Sequence, residues 1–313
     1  MITILAGIAG LILLYYGAEF LVKGGSSIAM NMKIPPLVIG LTLVAYATSA
    51  PEMVVSIDAA TKGMGDISLG NVVGSNICNI ALILGVCAII TPLKVNRQLL
   101  KFDIRVMLTA SAALAVLYYL TGGVNRISGG ILLLCSIAYT VWSVYAAKRD
   151  AAISETAQAE EAPKVYPLYL AVIFVAGGLA ALVGGAKLFV IAAVALAKLC
   201  NVSDAVIGLT VVAVGTSLPE LATSIVAAIK KETDIAIGNV IGSNIFNILA
   251  ILGVAPLIKP IYGVGINNVD MILMIALGIV LYPFMRTGMK INRFEGAALL
   301  LIYIGYTAYL IVK

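Results

Sequence analysis

The chain has 313 residues, of which 62% are hydrophobic and only 11% charged, with a net charge of +5 and no histidine. A soluble domain carries about 25% charged residues, so the composition excludes a soluble protein and describes an integral membrane one. Without histidine and without a CxxC, zinc, copper, haem and redox chemistry find no ligands here, and no cofactor is expected.

A spanning helix needs about 20 apolar residues, and ten such stretches follow one another at 2–30, 36–61, 67–92, 103–121, 128–147, 166–197, 204–229, 234–257, 267–285 and 294–312. The expected fold is all-α, with ten transmembrane helices. The first stretch has no basic n-region, and its GAEFLV (17–22) matches GAKLFV (185–190). It therefore reads as a retained helix rather than a signal peptide. Cys78, Cys87, Cys135 and Cys200 lie in or at the ends of apolar stretches and read as small packing residues. The only extended polar segment, KRDAAISETAQAEEAPK (148–164), has the composition of a flexible linker. It divides the chain into a first half 1–147, a linker 148–165 and a second half 166–313.

The alternate connections after helices 1, 3, 5, 7 and 9 hold 13 of the 20 basic residues. The positive-inside rule places those loops in the cytoplasm and both termini outside it. Topology explains this spacing of lysines, and no nucleic-acid partner is expected. The partners are the lipid bilayer and small ions, and a monomer is the expected unit in the cell membrane.

Residues 40–86 recur without a gap as 208–254, an offset of 168, with 29 of 47 positions identical. Five helices per half is an odd number, so the halves insert with opposite orientation, as two inverted five-helix repeats. Such repeats bring equivalent residues together around a pseudo-twofold axis in the membrane plane. Glu52 and Glu220, the only acid each copy places at an equivalent position within an apolar stretch, would meet near the midplane.

In each copy Thr48, Ser49, Pro51 and Glu52, or Thr216, Ser217, Pro219 and Glu220, fall within five residues. On a helix, Thr48 would lie beside Glu52 and Thr216 beside Glu220. The prolines would free the carbonyls of Ala47 and Gly215, which is tolerated at membrane depth only in a protein interior or a wet cavity. The next helix repeats G-N-V-x-G-S-N-I-x-N over 70–79 and 238–247. There Ser75 with Asn79, and Ser243 with Asn247, share a face, and Asn71 and Asn239 extend the stripe. Gly, Ser, Thr and Asn also serve as packing residues between membrane helices. An intramembrane glutamate, however, costs at least about 2.5 kcal/mol, and here the cost recurs at equivalent positions. An oxygen-only set of hydroxyls, amides and carboxylates suits hard cations such as Ca²⁺ and Na⁺.

The pair ATSAPE…GNVVGSNICN and GTSLPE…GNVIGSNIFN resembles the two alpha repeats of the sodium/calcium exchangers within the cation/calcium exchanger superfamily. The resemblance implies one site for Ca²⁺ or several Na⁺, built from Glu52, Glu220, Thr48, Thr216, Ser49, Ser217, Ser75, Ser243, Asn79 and Asn247, with backbone oxygens at Ala45 and Ala213. It also implies alternating access, with helices 1 and 6 sliding on a static core. Tyr46 and Ala47 depart from the small-residue pattern of Val214 and Gly215. Potassium-dependent relatives carry aspartate where this chain has Asn247, and proton-coupled ones carry asparagine where it has Ser49 and Ser217. The expectation is therefore a Ca²⁺/Na⁺ antiporter. A Ca²⁺/H⁺ antiporter on the same scaffold is the runner-up and a passive cation channel a more distant one. No nucleophile–base pair suggests an enzyme.

Three further charges invite assignment. Glu19 and Lys187 hold equivalent places in helices 1 and 6 and read as snorkelling residues before they read as a pair. Asp58, whose counterpart is Val226, reads as a vestibule residue rather than a ligand. Trp142 and the terminal tyrosines suit an interfacial belt.

Overall fold

The computed structural model describes residues 2–153, 165–199, 213–262 and 267–312. In chain order the helices are α1 (Ile2–Asn31), α2 (Pro36–Thr48), α3 (Ala50–Thr61), α4 (Gly65–Ile90), α5 (Leu99–Thr121), α6 (Arg126–Ile153), α7 (Leu168–Leu199), α8 (Ala213–Thr216), α9 (Leu218–Ile229), α10 (Thr233–Ile258), α11 (Asn268–Arg286) and α12 (Arg293–Val312). Four two-residue strands lie in the connections: β1 (Leu93–Lys94), β2 (Gly123–Val124), β3 (Ile261–Tyr262) and β4 (Lys290–Ile291).

The chain is an all-α membrane protein. Among the described residues eight helices are long and apolar enough to cross a bilayer, and the bent pair α2–α3 makes a ninth. The expected count of ten is not reached there, because the first part of the stretch at 204–229 lies outside the described residues and only α8 and α9 represent it. The linker is also shorter than its composition suggests. Residues 148–153 continue α6, having no Gly or Pro to stop it, and 154–164 lie outside the described residues.

Burial separates a centre from a periphery. The apolar windows of α4 and α10 are 72% and 83% buried, whereas those of the other long helices reach at most 33%. The two helices that carry the G-N-V-x-G-S-N motif are thus the core. On the periphery α1 and α7 lie backbone to backbone. A Cβ on Gly10 would meet Gly185 O at 2.9 Å, and one on Gly17 would meet Gly178 O at 2.9 Å. The index falls on α7 as it rises on α1, so the two helices run antiparallel, and only glycine admits this approach.

The strands tie the connections together at two ends. β1 pairs antiparallel with β4, and β2 with β3. Because α5 separates β1 from β2, the β1–β4 face and the β2–β3 face lie at opposite ends of the bundle.

Candidate cation site

Pro51 and Pro219 do not loosen continuous helices, as the sequence reading expected. Ser49 (φ −82°, ψ 6°) and Ser217 (φ −86°, ψ 5°) leave helical geometry, and each proline opens a new helix. There a missing N–H costs nothing. The α2–α3 break bends the chain by 46°. Glu52 and Glu220 consequently stand in the first turns of α3 and α9, where the helix dipole favours a carboxylate. Thr48 no longer shares a helix face with Glu52. Its Oγ1 lies 3.3 Å from Ala45 O and 3.1 Å from Asn239 Oδ1.

The two copies then serve each other. Ser49 Oγ donates to Glu220 Oε1 at 2.8 Å, and Ser217 Oγ donates to Glu52 Oε1 at 3.2 Å. Ser217 Oγ also lies 3.4 Å from Ser75 Oγ. Both glutamates are 1% exposed.

Asparagines from α4 and α10 fix this centre. Asn71 Nδ2 donates to Glu52 O (3.1 Å) and Ser56 Oγ (2.9 Å), and Asn239 Nδ2 donates to Glu220 O (3.4 Å) and Ser224 Oγ (2.9 Å). Asn79 Nδ2 donates to Asn244 Oδ1 at 3.1 Å, and Asn247 Nδ2 to Asn76 Oδ1 at 3.0 Å. Ser56, Ser224, Asn76 and Asn244 were not among the expected site residues. Their signal was present, since each is repeated at the offset of 168. Asn79 and Asn247 sit in π-helical turns, Cys78–Leu84 and Asn247–Ile251, a geometry frequent at functional sites and without a sequence signature here.

The amide bonds occupy the nitrogens of Asn79 and Asn247 and leave their oxygens. Six buried oxygens of the expected set have no hydrogen-bond partner: Glu52 Oε2, Glu220 Oε2, Asn79 Oδ1, Asn247 Oδ1, Thr216 Oγ1 and Ser243 Oγ. A buried polar atom left unpaired costs about 1–3 kcal/mol, more if charged. Ca²⁺ takes 6–8 oxygens, so the donor set matches a hard cation. Thr48, Ser49, Ser75 and Ser217 hold the shell by the bonds above. Ala45 O already accepts Ser49 N–H at 3.0 Å, whereas Ser217 N–H turns to Val214 O (3.1 Å) rather than to Ala213. The two backbone oxygens are therefore not equivalent in this conformation. Among the described residues no three or more His, Cys, Asp or Glu side chains converge, in keeping with a site of two carboxylates and neutral oxygens.

Among the described residues, access is open on one side. A cavity of about 380 Å³ runs from Asp270 and Tyr306 at the β2–β3 face, past Gly70 and Gly74, to Ser75 and Thr216. A Cβ on Gly70 or Gly74 would meet nothing within 4 Å among the described residues. On the opposite side α2 seals the equivalent glycines: a Cβ on Gly238 would lie 2.8 Å from Leu37 O, and one on Gly242 2.4 Å from Leu41 O.

The remaining charges lie elsewhere. Glu19 pairs with Lys23 (2.9 Å) and Lys230 (2.7 Å) rather than with Lys187. Asp58 makes an exposed ion pair with Lys62 at 2.6 Å and is outside the cavity lining. Trp142 is half-exposed against Phe102. Cys78 and Cys87 are buried and Cys135 is exposed, while Cys200 is outside the described residues.

Comparison with known proteins identifies the family. A family profile described as sodium/calcium exchanger protein matches residues 2–145 and 170–312. The sodium/calcium exchanger MaX1 of Methanosarcina acetivorans is 34% identical over 357 aligned residues, covering 99% of each chain. The inner membrane protein YrbG of Escherichia coli is 38% identical over 259 residues, covering 81% of this chain and 79% of YrbG. A solved structure of the sodium-calcium exchanger NCX_Mj superposes with a TM-score of 0.84 at 36% identity, covering 98% of both chains.

Proposed function

The chain belongs to the sodium/calcium exchanger family, and from that premise we propose that it carries Ca²⁺ in one direction and Na⁺ in the other through the site between Glu52 and Glu220. The observation that carries the proposal is the set of six unpaired buried oxygens, one from each glutamate. Two carboxylates balance one Ca²⁺, which leaves the loaded site nearly neutral and able to sit in a low-dielectric interior. Several Na⁺ replace it on the same oxygens, and exchange of more than two Na⁺ per Ca²⁺ moves net charge and responds to voltage.

The halves 1–147 and 166–313 are five-helix repeats of opposite orientation. The antiparallel seam of α1 with α7, its counterpart, supports this, as does the pairing of β1 with β4 and of β2 with β3. The β1–β4 face, with Lys94, Arg97 and Lys101 beside it, is cytoplasmic, and both termini lie outside. The seal that α2 makes toward the β1–β4 face, and the cavity that reaches the site from the β2–β3 face among the described residues, support an alternating-access carrier. A channel would need a path to both faces.

The test is radiolabelled Ca²⁺ uptake into proteoliposomes loaded with Na⁺ and diluted into Na⁺-free buffer, with a pH-jump arm and Glu220→Gln beside it. Uptake that needs internal Na⁺ and disappears in the variant supports the proposal. Uptake that follows the pH gradient and ignores Na⁺ makes the protein a Ca²⁺/H⁺ antiporter instead.

A further inference from the structure

The outer cavity is walled by an acid and a tyrosine that the site does not use. Tyr306 Oη donates to Asp270 Oδ1 at 3.0 Å, and both residues line the cavity. The same bond recurs in the first half, where Tyr139 Oη donates to Asp103 Oδ1 at 2.9 Å. The pairs correspond by position (270 − 103 = 306 − 139 = 167), one less than the offset of the central motifs. An independent contact fixes this register. Asn76 Nδ2 points to Met274 Sδ and Asn244 Nδ2 to Met107 Sδ, again 167 apart.

The environments differ. Asp270 is half-buried at an open mouth, whereas Asp103 is 0% exposed. Leu310 lines the outer cavity, and its counterpart Ser143 on α6 is fully buried. Asp103 Oδ2 and Ser143 Oγ have no hydrogen-bond partner. They are polar atoms arranged for contact with something other than their present neighbours. The closure is made by Tyr46 of α2, whose ring packs at a tilt against Phe246 (centroids 4.3 Å apart) and whose hydroxyl hydrogen-bonds Thr140. Phe246 corresponds to Cys78 of the open cavity, and Tyr46 to Val214, so the bulk is on the sealed side only.

We propose that Asp103 and Tyr139 are the concealed wall of a second, cytoplasmic mouth, and that each Asp–Tyr pair collects a divalent cation for its own side of the membrane. The assignment rests on the exchange reading. When α2 withdraws from α10, Tyr46 leaves Phe246 and Thr140, and Asp103 meets water. Lys101 and Arg105, two residues to either side, are exposed at the protein surface and line a groove with Trp142 that Tyr139 also reaches.

The experiment measures half-saturating Ca²⁺ from each face in right-side-out and inside-out membrane vesicles. Asp270→Asn should raise it about threefold to tenfold on the outer face alone, and Asp103→Asn by a similar factor on the cytoplasmic face alone, as expected when a mouth loses the charge that concentrates cations. An effect of Asp103→Asn on neither face, or equally on both, overturns the proposal. Ser143→Cys, with the four native cysteines replaced, tests the mouth whatever ion drives transport. An impermeant thiol reagent should label it from the cytoplasmic face, and no labelling with Na⁺, with Ca²⁺ or without either would overturn it too. Absence of Na⁺-dependent uptake in the unaltered protein, with Ser143→Cys still labelled, would sink the exchange reading and leave the mouth standing.

Discussion

Replacing Gly242 by alanine should move the protein out of the conformation described above. The added Cβ would lie 2.4 Å from Leu41 O and 2.7 Å from Leu41 C and Cα, all backbone atoms that cannot swing aside. Ordinary contact begins near 3.4 Å, so α2 must retreat from α10 by about 1 Å. Overpacking of this kind costs about 1–3 kcal/mol, and about 2 kcal/mol changes a two-state ratio roughly 30-fold. The equivalent Gly74→Ala meets no atom within 4 Å among the described residues and gains helix propensity of about 0.5–1 kcal/mol. It should leave this conformation intact or slightly favour it. Thermal unfolding of the purified variants gives the first measurement, with a decrease of about 3 °C expected for Gly242→Ala alone. Thiol labelling of Ser143→Cys in each background gives the second, and it should speed up with Gly242→Ala. A Gly242→Ala protein as stable as the parent, or a Gly74→Ala protein equally disturbed, would refute the argument that these glycines mark the closed and open sides.

Glu52→Gln and Glu220→Gln each remove one of two charges that balance Ca²⁺, and uptake should fall to background in both; substantial residual uptake in either would remove it from the site. Ser49→Ala deletes a charge-assisted bond of 2.8 Å to Glu220, worth about 1.5–3 kcal/mol, so half-saturating Ca²⁺ should rise by about an order of magnitude or more. Asn244→Leu leaves every expected ligand in place but releases the Asn79 amide. A loss of about 1–2 kcal/mol, roughly 5–30-fold in half-saturating Ca²⁺, is expected, and an unchanged value would show that the amide orientation does not matter. Glu19→Cys with Lys230→Cys, at positions whose present side-chain tips meet at 2.7 Å, should be bridged by a short bifunctional thiol reagent that ties α1 to the connection after α9 and stops exchange; undiminished transport in the cross-linked protein would refute sliding of α1.

Much of this was legible in the sequence because duplication marks function. Both glutamates, the flanking serines and the amides on α4 and α10 stand out as paired positions, and burial and hydrogen bonding bring them to one centre. The backbone at Ser49 and Ser217 was not legible. Proline at the start of a helix and proline in its middle read alike in one sequence, and only the non-helical ψ distinguishes them. The direction of the amides was hidden for a related reason, since it depends on which asparagine of the opposite half lies across from each one. The sealing of Gly238 and Gly242 could not be foreseen either, because identical motifs surround the open pair Gly70 and Gly74. Glu19 found Lys230, a residue remote in sequence, in place of Lys187 at the equivalent position.

The exchange of hydroxyls between Glu52 and Glu220 has a consequence for how such a protein could originate. Each carboxylate is held by a serine of the other half, so neither half possesses a finished binding centre. On the proposed inverted-repeat topology, an ancestor of one repeat would have needed a second copy of itself, threaded through the bilayer the other way up, before it could hold an ion. Fusion into one gene turns that chance encounter of opposite insertions into a fixed property of the chain. The two halves, produced as separate polypeptides, should then regain function together while each alone remains inert.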